Sequence, residues 1–306
     1  MGKRATSAIN QTLTNYAQGI AQDLRSALAE FLAPTVRVAA SIGQFKKFDG
    51  KNAFQIYTTA RAVGGTATRI KFEATDPTYN CLPQALEVAI DDSERDSAGA
   101  DQLGLEQQKV STLISSATIA HEDQVLTLLN SGLTAVAGKG VWSGADIDPV
   151  KELDEQIQAI ALATGMMPNA MAFGLGAWQV FRNHPKVIAR QPGAALVGIT
   201  AQQAAAMTIN PGMEIRVGVL SKDQAKFGNT KNATSIVGAN VYLLIRSPNP
   251  TTYDPSFAKT FMAGTGGITA VREYRDESAR SDVYAIDRAR DIQVVSTECA
   301  RRLAIS

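Results

Sequence analysis

Apolar residues along the start of the chain recur at steps of three or four. Ile9, Leu13, Tyr16, Ile20, Leu24 and Leu28 fall on one stripe, which predicts an amphipathic helix. Ser7 is placed to cap it, and Pro34 ends the pattern soon after Phe31 and Leu32. Such a stripe suits a helix docked on its own domain or an arm laid on a neighbouring copy. From Phe54 the period changes to two: Phe54, Ile56, Thr58, Ala60 and Ala62 oppose Gln55, Tyr57, Thr59 and Arg61. Gly64-Gly65 supplies a tight turn, and Ile70, Phe72 and Ala74 then alternate with Arg69, Lys71 and Glu73. The expectation is a long hairpin with one modestly apolar and one charged face. Alone it buries too little to offset its ordering, so it must lie on its own domain or on another copy.

Further along, Leu86, Val88 and Ile90 alternate with Glu87, Ala89 and Asp91 as a half-buried strand, followed by an acidic stretch, Asp91 to Asp96, read as a solvated turn. Leu103 to Ser131 is the longest helix candidate, with Val110, Leu113, Ile114, Ala117, His121, Val125 and Leu128 on one face and Gly132 at its stop. Asp148-Pro149 opens another helix with face Leu153, Ile157, Ile160 and Ala161, closed by Gly165. A buried strand at Met171–Phe173, a helix from Ala177 to Asn183 and a short helix from Thr200 follow, with strands at Glu214–Val219 and Val241–Arg246. The last region is strand-like at Phe257–Met262, Ile268–Tyr274, Ser281–Arg288 and Ile292–Val295. Helices alternating with strands between two β regions predict an α+β chain whose second domain is inserted into the first.

Composition narrows the chemistry. The 306 residues suit about two domains, and 30 Lys+Arg against 29 Asp+Glu leave a net charge of +1, so no overall field drives the chain onto nucleic acid or a membrane. No apolar run is long enough to span a bilayer, and the first residues lack the apolar core of a secretion signal. Cys81 and Cys299 form no CxxC pair, and His121 and His184 are the only histidines, which argues against a zinc site or a disulfide framework. His121 reads as a core or interface residue. The acidic stretch lacks calcium-loop spacing, and the glycines from Gly132 to Gly140 miss the P-loop pattern, with five residues before Gly138-Lys139 and Gly140 in the Ser/Thr position. Lys46, Lys47, Lys51, Arg61, Arg69 and Lys71 crowd the hairpin, without the interleaved aromatics of a single-strand binder. Near the C-terminus Arg272, Arg275, Arg280, Arg288 and Arg290 alternate with acids, as on a solvated face or in pairing across repeated identical contacts. No catalytic residue, cofactor site or metal site is expected.

In order, the arm, the charged hairpin, LEVAIDDSERDSAG (Leu86–Gly99), ATIAHEDQVLTLLNSG (Ala117–Gly132), DPVKELDEQIQAIALATGMMPNAMAFGLGAWQVFRNHPKV (Asp148–Val187) and the C-terminal β region resemble the major capsid proteins of tailed bacteriophages, the Hong Kong 97-like fold. The resemblance covers nearly the whole chain. It implies an N-terminal arm at 1–44, an extended hairpin loop at 45–82, a peripheral domain with its spine helix at 83–147, an axial domain at 148–240, and peripheral C-terminal strands at 241–306. It also implies self-assembly into pentamers and hexamers of an icosahedral shell around double-stranded DNA, held without sequence-specific contacts. Separate scaffolding, portal and decoration proteins would be partners, no membrane is involved, and shells assembled in the host cytoplasm would end in the virion. Assembly contacts are expected from Lys46, Lys47, Phe54, Ile56, Arg61, Gly64, Gly65, Arg69, Lys71 and Phe72 on the hairpin and from Ile9, Leu13, Tyr16, Ile20 and Leu24 on the arm. The alternatives are an encapsulin-like compartment shell of the same fold or, from another class, a nucleotide- or DNA-binding protein.

Overall fold

The computed structural model describes residues 8–9, 27–48, 59–61, 63–65, 67, 74–99, 101–144, 146–190, 198–225, 228–264 and 270–306. Two sheets and one long helix organise them.

The six-stranded sheet is built along Ser281–Val294, a single strand where two shorter ones were expected. Its register opposes Ser281 to Asp91 and Arg290 to Leu82 on one edge, through strand Leu82–Asp91. On the other edge it takes Val271–Asp276 and then Ala258–Ala263, both antiparallel. Thr35–Val38 lies parallel beyond Ala258–Ala263, and Ala8–Ile9 beyond Val271–Asp276. Ile9 therefore sits in a strand opposite Arg272 and not on a helical stripe, because an open sheet edge satisfies its backbone there. The long helix, Gln102–Gly132, packs on this sheet through Val110, Leu113 and Ile114 against Ile90, Val271, Tyr284 and Ile286. The acidic stretch is also corrected: Asp92–Ala98 is a helix, since Asp91 accepts from the Ser93 amide at 2.8 Å and supplies an N-cap.

The second sheet has four strands, in the order Ala300–Ala304, Asn240–Leu244, Ala170–Gly174 and Glu214–Gly218. Two of these were expected with the peripheral strands of 241–306. They belong here because Val241 registers with Phe173 on one side and Leu303 on the other, which places buried apolar residues of all three strands in one core. Pro149–Thr164 covers this sheet and follows its sequence signals closely. Asp148 accepts from the Val150 amide at 3.1 Å, Pro149 starts the first turn, and Gly165 closes the helix with a φ of +70°. Leu153, Ile157 and Ile160 are fully buried on its inner face. Thr200 and Gln203 form a reciprocal capping box on the short helix Ala201–Ala206.

Between the sheets runs Leu28 to Val38. Ala29–Leu32 is one helical turn, and its N-terminal amides have no cap from their own segment. Glu122, in the middle of the long helix and with no exposed surface, supplies it: its carboxylate accepts from Leu28 N at 2.8 Å and from Ala29 N at 2.7 Å. Leu28, Phe31 and Leu32 are buried in the large core shared with the four-stranded sheet, while the Thr260 amide and hydroxyl donate to the carbonyls of Pro34 and Ala33. The guanidinium groups of Arg216 and Arg246 stack over the Phe31 ring at 4.6 and 5.0 Å. A second buried charge, Lys259, donates to the carbonyls of Thr251 and Asp254 and meets the Asp254 carboxylate at 2.9 Å.

Two predictions follow from these buried charges. Lys259→Met leaves the half-buried Asp254 without its cation, which should cost about 3 kcal/mol and open residues 251–254 to protease. Urea unfolding with limited proteolysis checks it, and unchanged cleavage would refute it. For Glu122, burial raises the carboxyl above its ordinary 4.5, against the pull of the Leu28 and Ala29 amides. The folded state then binds the proton more tightly than the unfolded chain, so this group's contribution falls as pH rises from 4.5 through the folded value. Glu122→Gln removes that titration. Measured by urea unfolding across this window, the stability of wild type relative to the variant should decline with rising pH; a pH-independent gap would contradict the assignment.

Candidate functional site

The hairpin expected at 45–82 is described at its base and its turn. Ile42–Gln44 pairs antiparallel with Thr78–Asn80, and Lys47–Phe48 with Ala74–Thr75, so the two arms of the loop leave the body as a ladder. Aromatic packing roots this stem. Tyr79 stacks on Phe261 with ring centroids 4.7 Å apart, Phe45 lies 5.1 Å from the same ring, and Val36, Cys81 and Val295 complete the cluster. Lys46 closes the stem by pairing with Asp76 at 2.7 Å, and Lys47 beside it is exposed. At the far end, Arg61, Gly64 and Gly65 are exposed, and Val63 between them is as open as in an extended peptide.

Lys46 and Lys47 therefore belong to the stem, and Arg61, Gly64 and Gly65 to the outer loop. Phe54, Ile56, Arg69, Lys71 and Phe72 of the hairpin, and Leu13, Tyr16, Ile20 and Leu24 of the arm, lie outside the described residues. Ile9 is described only as a strand residue on its own chain's sheet. Sequence reasoning missed the anchors Phe45, Tyr79 and Phe261. Phe45 and Tyr79 flank the hairpin, one on each side, which was a usable signal, whereas Phe261 reaches them only through the tertiary fold.

Other chemical candidates have structural partners. In the glycine-rich stretch Glu152 accepts from the Gly140 amide at 3.0 Å and from the Trp142 indole at 2.8 Å, while Lys139 pairs with Glu155 at 2.7 Å. Gly140 has a φ of +89°, and a Cβ there would meet the Ala304 carbonyl oxygen at 2.3 Å, so close backbone approach explains this glycine. His184 accepts from the Lys186 amide and caps the short helix Pro185–Ala189. Cys81 and Cys299 are free thiols, both buried. Among the described residues no three His, Cys, Asp or Glu side chains converge as metal ligands, and no helix is long and apolar enough to cross a membrane. His121 is a core residue as expected, but its Nε2 has no hydrogen-bond partner. Burial, with Arg290 and Arg288 nearby, draws its pKa down to about 3, so the ring is neutral near pH 7.

Two of the five C-terminal arginines, Arg272 and Arg275, form ion pairs within the subunit. Arg275 meets Asp92 at 2.6 Å and Asp282 at 3.3 Å, Arg272 meets Asp287, and Arg95 meets Asp282. Arg288 and Arg290 do not share in this pairing.

No family model matches the chain. It is 26% identical over 267 residues to the major capsid protein of Burkholderia phage BcepMu, covering 82% of each chain. In structure it is similar to a phage-related protein from Bordetella bronchiseptica, with a TM-score of 0.73, 22% identity and coverage of 98% and 97% of the two chains. The capsid of Myoviridae phage XM1 matches with a TM-score of 0.53 at 8% identity, over 100% of this chain and 95% of that one. The hairpin stem, the long helix over one sheet and the capped helix over the other thus follow the order of parts that the sequence resembles, and the chain has the Hong Kong 97-like capsid fold.

Proposed function

We propose that this chain is the major subunit of a phage head, whose copies join as pentamers and hexamers and close an icosahedral shell around double-stranded DNA. The observation that carries this reading is the whole-length likeness of fold to capsid subunits, joined to sequence similarity with a phage major capsid protein. The role is structural. A loop on a core-rooted stem, ending in an exposed valine, suits a contact that a neighbouring copy covers. A net charge of +1 lets such a shell enclose DNA without gripping it. Scaffolding, portal and decoration proteins are separate partners in this reading, with assembly in the host cytoplasm and the finished shell in the virion. Within it the six-stranded sheet and long helix form the peripheral part, and the four-stranded sheet with helix Pro149–Thr164 forms the axial part.

Electron microscopy of the expressed full chain, alone and with a scaffolding protein from the same phage, tests the proposal. Closed shells, or rings and tubes of five- and six-fold capsomers, are expected. Uniform small particles under both conditions would overturn it, and shells filled with protein cargo in place of DNA in their native setting would favour a compartment. The loop makes a sharper prediction. Reversing the exposed Arg61 to Glu should change subunit stability by less than about 0.5 kcal/mol, as exposed substitutions do, while lowering shell yield sharply. Normal shells from that variant, counted by microscopy, would remove the hairpin from the intersubunit contacts.

A further inference from the structure

The arginines of the C-terminal strands divide by register. Arg272 and Arg275 lie where the pairing of Val271–Asp276 with Ser281–Ile286 brings carboxylates alongside. Arg288 and Arg290 lie further along the same long strand, opposite Gln84 and Leu82 on one edge, with Met262 opposite Arg290 on the other. None of these partners carries charge. Two residues apart on a strand, both arginines project from one face. They line a cavity of about 430 Å³ with Gln84, Leu86, Ala120 and Gln124, between the edge strand and the long helix.

Their donors are under-used. Arg290 is 5% exposed, and its Nη2 donates to Gln124 at 2.8 Å, but its Nε and Nη1 have no partner. The Arg288 Nε is likewise buried without one, and so is the Nε2 of His121, one residue beyond the cavity wall at Ala120. Among the described residues no carboxylate forms an ion pair with either guanidinium; Glu30 acts on Arg288 only through space. Burial lowers both arginine pKa values, and the Arg288 charge pushes Arg290 further, to about 10. Two desolvated cations with orphan N–H groups around one cavity are unfavourable unless an anion completes them.

We infer that this cavity is an oxyanion site, filled in the assembled protein by a carboxylate side chain of a second copy of this chain. The inference rests on the shell reading for its occupant, though not for the site itself. Guanidinium forks match a planar carboxylate. Leu82 and Leu86 on that strand are 59% and 42% exposed. A polypeptide bringing the carboxylate would also cover these leucines, which a free anion would not.

Arg290→Met separates the outcomes. In the unassembled full chain, removing a desolvated and unpaired cation should leave the melting temperature unchanged or raise it. A clear drop would mean that Arg290 is already satisfied within its own subunit, overturning the proposal. Inorganic phosphate, matched in ionic strength with chloride, should raise the melting temperature of the unassembled wild type by a few degrees and leave the Met variant unmoved. This arm reads the site even from a chain that never forms shells, so its result stands apart from that of the shell reading; no phosphate response in the wild type would overturn the oxyanion site. In assembled particles the Met variant should lose shells at least about ten-fold, as expected for loss of one partner of a buried charge pair. Wild-type shells should ignore added phosphate because the carboxylate already fills the cavity. Met-variant shells as abundant and stable as wild type, or wild-type shells that still respond to phosphate, would overturn the second-copy carboxylate.

Discussion

The carboxylate of Glu122 fixes how the parts of this chain meet. A one-turn helix such as Ala29–Leu32 cannot hold itself together, since nucleating a turn costs more backbone entropy than its hydrogen bonds return. Its first amides, buried and uncapped by their own segment, are satisfied from a residue more than ninety positions away, inside the long helix. With that end tied down, Leu28, Phe31 and Leu32 enter the core of the four-stranded sheet. The chain that follows must then run alongside Ala258–Ala263 in the six-stranded sheet. One buried acid thus sets the relation of the arm's root to both sheets. The segment expected as an arm on a neighbouring copy or a helix docked on its own domain is, at its root, part of the subunit's own interior.

Charge on this molecule is sorted by register, not by composition. A +1 chain with near-equal acids and bases could pair all of them at random, and most surface pairs would then contribute little. Here the pairing of Ser281–Ile286 brings arginines beside acids from neighbouring elements, whereas a few residues later the same strand places its arginines opposite amide and apolar residues. The first group has carboxylate partners within the subunit. The second has no carboxylate partner among the described residues, and part of its donors are buried without one.

The parts of this fold that were legible in the sequence are those fixed by local chemistry. Pro149–Thr164 carries its cap, its proline and its closing glycine within itself, so its ends match the reading. Gln102–Gly132 follows from a long 3.6-residue period, and Ala170–Gly174 from an uninterrupted apolar run between Pro168 and the next helix. What could not be read depends on distant partners. Thr35–Val38 is four residues long and becomes a strand only beside Ala258–Ala263. Ala300–Ala304 contains two arginines and shows its strand character only against Asn240–Leu244. The acidic run from Asp91 looked like a turn because its residues favour loops, yet the same acids suit a helix start, where Asp91 caps and Asp92 binds Arg275. Of the candidate site, the hairpin's charges and turn were visible, but its aromatic root and the isolation of Arg288 and Arg290 were not, because each requires knowing what stands across the sheet.

The middle of the long helix gathers these threads. His121, Glu122, Asp123 and Gln124 follow one another, and successive helical side chains are about 100° apart, so four in a row point almost all the way round. On a helix with one solvent face, such a run would leave some of them in water. Here Glu122 holds the amides of the arm's root, Asp123 binds Lys222 at 2.6 Å, Gln124 accepts from Arg290, and His121 is buried near the same arginine. One turn of the helix therefore holds the arm's root through Glu122, Lys222 through Asp123 and the long strand through Gln124. Gln124 also lines the cavity beside Arg288 and Arg290. The turn that holds the arm's root through Glu122 thus also carries, at Gln124, the one side chain among the described residues that Arg290 donates to.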